Sequence, residues 1–190
     1  MEVFTLENER VTLSPLTLDN AVLLENIASQ KGLVAYSPSD IETPDKLLMF
    51  VREAIYQHQH KMAIPFIIFD KQAGQYAGCT RYMNIDWKNK VLHIGSTWIG
   101  REFQGSGLNL HMKFLMLRHA FETMGFEKVE FRIDERNARS RGAVEKLGAI
   151  LEGVLRKNVY LIDGYKRNTC CYGILLEEWH EIKPSLLKKL

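Results

Sequence analysis

The sequence predicts a mixed α/β fold, a mostly antiparallel central sheet of about six or seven strands flanked by about four helices. Three observations predict it. Apolar spacing is helical within residues 17–60 and turns β-rich between 62 and 99. A helical segment then separates two β-runs, the arrangement of a parallel crossover pair. Last, Asp163-Gly164 divides two further β-runs, a strong hairpin signal.

The elements follow in order. ERVTLSP (9–15) reads as a strand ending at a proline. TLDNAVLLENIASQ (17–30) is a helix with a polar stop, QKG, and residues 39–60 form a second helix. Thr43 suits its N-cap and Pro44 its first helical position. MAIPFIIFD (62–70), GQYAGCTRYMNI (74–85) and KVLHIGSTWI (90–99) form an antiparallel meander. The helix at about 107–124 puts Leu110, Phe114, Leu117 and Phe121 on one face, and Gly125 ends it. KVEFRI (128–133) is a strand parallel to 90–99, and NARSRGAVEKLG (137–148) is a helix capped by Asn137. AILEGVLRKNVYLI and YKRNTCCYGILL make the hairpin. A single domain is expected over 1–182, with 183–190 as a charged tail that frays, PSLLKKL closing the chain.

Composition excludes several function classes. With 46% apolar and 25% charged residues, the chain buries a core without disulfides. A formal net charge of +2 lacks the footprint of a nucleic-acid binder. MEVFTLENER carries acids and no long apolar stretch, unlike a secretory signal, and AIPFIIF is too short to span a bilayer. Three cysteines without metal spacing fit reduced thiols. His58 and His60, two apart on a helix, point to different faces, so solvent suits them better than a metal. A cytoplasmic protein without metal, nucleic-acid or membrane partner is expected; a homodimer is left open.

GREFQGSGLN (100–109) places three glycines where a strand gives way to a helix. A Walker A loop would require Lys and Ser/Thr where Ser106 and Gly107 stand, and a dinucleotide fingerprint requires a further glycine. What remains is a set of amides, Gln104 to Asn109, at a positive helix end. Arg101, Lys113, Arg139, Arg141 and Lys146 are candidate flanking cations. Such a loop suits a pyrophosphate bound as a handle and not as a reactant, which describes coenzyme A.

The loop and the residues after it resemble the Gcn5-related N-acetyltransferases (GNAT), in particular the RimJ/RimL-like branch of ribosomal-protein N-terminal acetyltransferases. Glu102-Phe-Gln-Gly105-Ser-Gly107 matches both glycines of the signature Q/R-x-x-G-x-G/A and departs at Glu102. DERNARSRGAVEKLGA (134–149), EGVLRK (152–157) and YGILLEEW (172–179) resemble further branch motifs. The likeness spans about residues 80–180 and is loose before that.

The resemblance implies a GNAT-type fold and acetyl transfer from acetyl-CoA to a primary amine, either a peptide N-terminus or a small molecule, by direct attack in a ternary complex. It implies that Trp98, Ile99 and Gly100 pair with the pantetheine arm. Gln104, Gly105, Ser106, Gly107, Leu108, Asn109 and Lys146 then complete the cofactor surface. Asn137 either caps its helix only or also bonds the pantetheine. Ser140 matches a serine that protonates the thiolate in some relatives, with Tyr160 and Tyr172 as alternative donors. His93 is the candidate base, Glu130 a second one; the glutamate that precedes the Tyr160 position in some relatives is Val159 here. Tyr36, Trp87 and Tyr165 are expected to line the acceptor pocket. A non-catalytic acyl-CoA-binding module on the same fold is the alternative.

Overall fold

The computed structural model describes residues 4–190. Eight strands make one sheet: β1 Leu6–Glu7, β2 Val11–Pro15, β3 Ile64–Asp70, β4 Gln75–Asp86, β5 Val91–Ile99, β6 Lys128–Asp134, β7 Ile150–Tyr160 and β8 Lys166–Leu175. Their order is β1-β2-β3-β4-β5-β6-β8-β7. Every neighbouring pair is antiparallel except β5–β6, which is parallel as the crossover predicts. The strand beyond the six or seven expected is β1, whose two residues are too few to show alternation.

The helix expected at 17–30 is broken into α1 Leu18–Ala21, a 3-10 turn Val22–Leu24 and α2 Glu25–Ala28. α3, Pro44–Gln59, starts where its cap predicts, with Thr43 Oγ1 accepting from Lys46 N at 3.4 Å. It buries Leu47, Val51 and Ala54, one helical stripe. α4, Leu108–Arg118, continues as a π-turn over His119–Thr123, and α5 is Ala138–Lys146. Residues Leu176–Leu187 form a further helix, α6, which runs through Pro184. It is held because Trp179 is buried between Phe114 and Phe121, its Nε1 donates to Glu122 Oε1 at 2.8 Å, and Leu186 two turns on is also buried. Burying two such side chains contributes about 1.5–3 kcal/mol each, enough to outweigh one proline in the last turns.

Two irregularities shape the centre of the sheet. Cys79 faces Trp98 and Arg81 faces Gly95, so Ser96 and Thr97 both oppose Thr80 in a bulge, with Ser96 at φ +46°. Just past it the strands approach so closely that a Cβ on Gly78 would lie 2.0 Å from the Trp98 carbonyl oxygen. Only glycine fits there. Second, β5 pairs with β6 over only Val91–His93 and Lys128–Glu130. Beyond that point the strands part, leaving a split whose vertex is the His93–Glu130 pair.

The split has two distinct faces. Tyr82 donates to the Met116 carbonyl of α4 at 2.7 Å and Thr80 Oγ1 lies 3.7 Å from Met116 Sδ, so Thr80 and Tyr82 face α4. Alternation turns Arg81, Met83 and Met83's partner His93 to the other side. There the Arg81 guanidinium lies 4.4 Å from the Phe50 ring of α3, and Phe50 lies 6.2 Å from Trp98.

Candidate active site

At the open end of the split, Gly100 leads into a 3-10 turn, Arg101–Phe103, and Gly107 caps α4 at φ +87°. An L side chain adopts that φ only with strain, and a Cβ at Gly107 would meet nothing within 4 Å. Space therefore lies open in front of the helix end. Among the described residues, the amides of Gly105, Ser106, Gly107 and Asn109 donate to no protein group. The set is narrower than expected: Gln104 N donates to Arg101 O at 3.1 Å, and Leu108 N reaches Ser106 Oγ at 3.4 Å. These amides stand where the helix dipole is positive, which suits phosphate oxygens.

Side chains fix the loop from several directions. Ser106 Oγ donates to Phe103 O at 2.7 Å and accepts from Arg10 Nη2 at 3.3 Å, while Arg10 also pairs with Asp70 at 2.9 Å. Gln104 spans the open end: its Nε2 donates to Ile99 O at 2.9 Å, and its Oε1 accepts from Arg139 Nη1 of α5. Glu102, the departure from the family signature, turns to the end of α2, where its Oε2 accepts from Gln30 Nε2 at 2.9 Å. It leaves the amide cradle undisturbed. Gly100 N donates to Ala77 O at 2.9 Å, so β5 stays joined to β4 to its end while its β6-facing edge has no strand partner. Trp98 is buried, and its Nε1 is without a partner among the described residues.

Of the five candidate flanking cations, only Arg139 stands at the loop. Arg101 donates to Lys31 O, Arg141 to Tyr172 Oη at 3.0 Å and Glu135 O at 3.1 Å. Lys146 is exposed in the last turn of α5, the end away from Gln104. Lys113 is buried. Asn137 accepts from Ser140 N at 3.1 Å through Oδ1, which makes it the helix cap. Its Nδ2 has no protein partner among the described residues, so the same side chain can cap and bind. Ser140 lies in that first turn.

His93 and Glu130 are a single unit: Nε2 lies 2.9 Å from Glu130 Oε2, and Nδ1 lies 3.1 Å from Asn84 Nδ2. Lys128 meets Glu130 at 3.1 Å and Glu152 at 2.8 Å, with Arg132 3.6 Å from Glu130. Burial lowers the His93 pKa against the pull of Glu130, so the ring favours its neutral form. Burial pushes Glu130 up, but the Lys128 hydrogen bond and the charges of His93, Lys128 and Arg132 outweigh it and hold the carboxyl below its usual range.

The family model described as "Acetyltransferase (GNAT) domain" matches residues 10–150. The chain belongs to the GNAT family. It is 29% identical over 106 residues to the "Putative ribosomal N-acetyltransferase YdaF" of Bacillus subtilis (strain 168), a match covering 56% of this chain and 57% of that relative. The chain thus spans little more than half the length of that curated relative. A solved "putative acetyltransferase" from T. thermophilus superposes with TM-score 0.88 at 31% identity, covering 100% of both chains. The acetyltransferase MccE, solved with acetyl-CoA and AMP, superposes with TM-score 0.75 at 24% identity over 88% of this chain and 93% of its own. At that identity MccE speaks for the GNAT fold alone.

Two residues of the expected GNAT acceptor pocket converge and one does not. The Arg136 guanidinium lies 3.7 Å from the Tyr165 ring and 5.5 Å from the Tyr36 ring, held by a bidentate contact to Asp134. Tyr36 O accepts from Arg167 of β8 at 2.8 Å. Residues 30–36 therefore run from the β5 side of the split, at Gln30 and Lys31, to the β8 side. Trp87 sits instead at the β4–β5 turn, donating to Lys61 O at 2.9 Å and packing on Phe126. Tyr160 is 64% exposed and stacks under Lys166, and Tyr172 is buried with its hydroxyl donating to Glu145 at 2.7 Å. Tyr172 thus faces α5, and Tyr160 lies at the end of the outer strand β7. The histidines His58 and His60 each bond a backbone carbonyl, and no metal-binding cluster occurs among the described residues. No helix among them is long and apolar enough to cross a membrane. Sequence reasoning missed Arg10 as a loop support, since it lies near no motif whose chemistry demands it.

Proposed function

We propose that this chain transfers an acetyl group from acetyl-CoA to a terminal α-amine, by direct attack within a ternary complex. One observation carries the reading: four amides without a protein partner among the described residues, at the positive end of α4 beside a split between two strands. They fit a pyrophosphate held without metal. The bound donor supplies an activated acyl group as a thioester. Gly105, Ser106, Gly107 and Asn109 hold its diphosphate, the free edge of β5 from Trp98 to Gly100 orients its arm, and Gln104 and Asn137 Nδ2 bracket it. Arg139 takes the place assigned from the sequence to Lys146. Membership of the GNAT family, matched by an acetyltransferase domain over residues 10–150, supports this assignment of the donor.

On the α3 face, His93 accepts the proton of the incoming amine at Nδ1, once Asn84 Nδ2 yields that nitrogen, while Nε2–H stays on Glu130, which stabilises the imidazolium. A neutral ring of lowered basicity suits a weakly basic acceptor. An α-amine, with a pKa of about 7.7–8.0 against about 10.4 for lysine, is roughly a tenth neutral at pH 7, whereas lysine is under a thousandth neutral. The word ribosomal in the name of YdaF, a putative ribosomal N-acetyltransferase, supports a protein acceptor over a small molecule. Release of CoA thiol in the presence of acetyl-CoA, compared between peptides with a free N-terminus and blocked peptides carrying lysine, tests the proposal. The free N-terminus is expected to be preferred at neutral pH. Preference for lysine overturns the acceptor; acetyl-CoA binding without release from any amine establishes the non-catalytic reading instead.

A further inference from the structure

A buried ammonium is costly without a carboxylate partner. Lys113 of α4 is 5% exposed, and its Nζ makes one hydrogen bond, to Thr97 Oγ1 at 2.8 Å. The same Nζ lies 5.9 Å from the centre of the Phe131 ring. Thr97 belongs to β5 and Phe131 to β6, and both lie beyond His93–Glu130, the last pair that joins the strands. The Lys113 amine therefore stands between the diverging strands and floors the split from the α4 side. Its hydrogen-bond partner Thr97 is the residue just before Trp98, the first residue proposed to orient the donor's arm.

We propose that Lys113 gives its proton to the departing CoA thiolate, an inference that rests on acetyl transfer as the reaction. The acceptor nitrogen forms a bond to the acyl carbon as the carbon–sulfur bond breaks, and the electron pair of that bond goes to sulfur. One Nζ–H proton passes to the sulfur to give the free thiol. Lys113, then neutral, regains the proton that the amine has lost, relayed through solvent. Donors and acceptors balance, and no further reactant enters.

The surroundings suit that role. Thr97 on β5, Thr80 on β4 and Phe131 on β6 carry no charge, and Thr80 Oγ1 lies 2.7 Å from Thr97 Oγ1. The titratable group that acts on it is Cys79, whose thiol burial pushes up to about 12, so it stays neutral. With nothing to hold the charge, burial brings Lys113 down to about 7, near the pH at which an acid works best.

Turnover as a function of pH tests the proposal, with acetyl-CoA affinity measured on the same samples. Wild-type kcat is expected to fall on the alkaline side as Lys113 loses its proton. Lys113→Met is expected to bind acetyl-CoA within about threefold of wild type, lose on the order of a hundredfold in kcat and lose the alkaline limb. Should that variant fold poorly, Thr97→Val keeps the amine but removes its partner and is expected to shift the alkaline limb. Wild-type kcat with an intact limb in Lys113→Met, or an unmoved limb in Thr97→Val, overturns the proposal. So does a hundredfold loss in Ser140→Ala with Lys113→Met unaffected, or recovery of the acetyl group on Lys113 itself. Failure of wild type to turn over any amine contradicts the acetyl-transfer reading and leaves the Lys113 variants without a phenotype.

Discussion

The two faces of the split between β5 and β6 are chemically unlike. On the α3 face, His93 belongs to a chain of compensated charges: Asn84, Glu130, Lys128, Glu152 and Arg132 all reach it directly or through the neighbours they pair with. On the α4 face, Lys113 has a threonine hydroxyl, a ring and, among the described residues, no carboxylate. Burial lowers the basicity of both groups, but only one of them has a counter-charge to resist it. Groups whose surroundings set their proton affinities separately mark the places where a fold runs base and acid chemistry side by side. The base face is compensated and therefore stable; the acid face is uncompensated and therefore costly to keep charged.

That contrast yields graded expectations. Lys113→Met should stabilise the fold, by on the order of 4 kcal/mol near pH 7, given a folded pKa of about 7 against 10.5. The sign follows from proton counting: between pH 7 and 10.5 the unfolded chain binds the proton and the folded chain does not. The gain over wild type is therefore full below pH 7 and vanishes as pH rises to 10.5. Denaturant unfolding at pH 7 and 10.5 checks it; an equal gain at both would erase the difference between the faces.

Gly107→Val should weaken acetyl-CoA binding about a hundredfold while leaving most of the fold, since the new side chain fills the space in front of the amides. Both faces then lose turnover together. Glu130→Gln should act on the α3 face alone. Without the carboxylate that raises it, His93 drops further in pKa, and the acid limb of kcat moves to lower pH. A limb that stays put would remove His93 as the base. Smallest is Asn137→Ala, expected to cost about 1 kcal/mol of stability as a lost cap, with a several-fold weaker acetyl-CoA affinity. Unchanged affinity would reduce Asn137 to the cap alone.

Much of the donor side was legible because it is contiguous. Residues 98–109 carry the strand end, the glycines and the helix start, and Asn137 announces itself three residues before Ser140. Thr43-Pro44 marked the start of α3 to the residue for the same reason. The acceptor side was less legible, since its contacts join residues far apart in sequence, Tyr36 with Arg136 and Tyr165. The support of the loop by Arg10 at Ser106 is equally remote. No local period encodes these. Trp87 was misplaced because an aromatic in a turn reads the same whether it lines a pocket or packs on Phe126. Lys113 was read as a cation flanking the glycine loop, but α4 is buried on nearly every side, and only the tertiary packing shows that. The helix over Leu176–Leu187 was not foreseen: the spacing of Trp179 and Leu186, two helical turns, was a helical signal, but Pro184 and the lysines masked it.

Calorimetric titration of acetyl-CoA into the wild-type protein, with Gly107→Val beside it, tests most directly whether the helix-end amides hold the donor. Saturable one-to-one binding in the micromolar range for wild type, lost or weakened about a hundredfold in the variant, is the result expected. No heat of binding to wild type at millimolar acetyl-CoA, or equal affinity in both proteins, would contradict it.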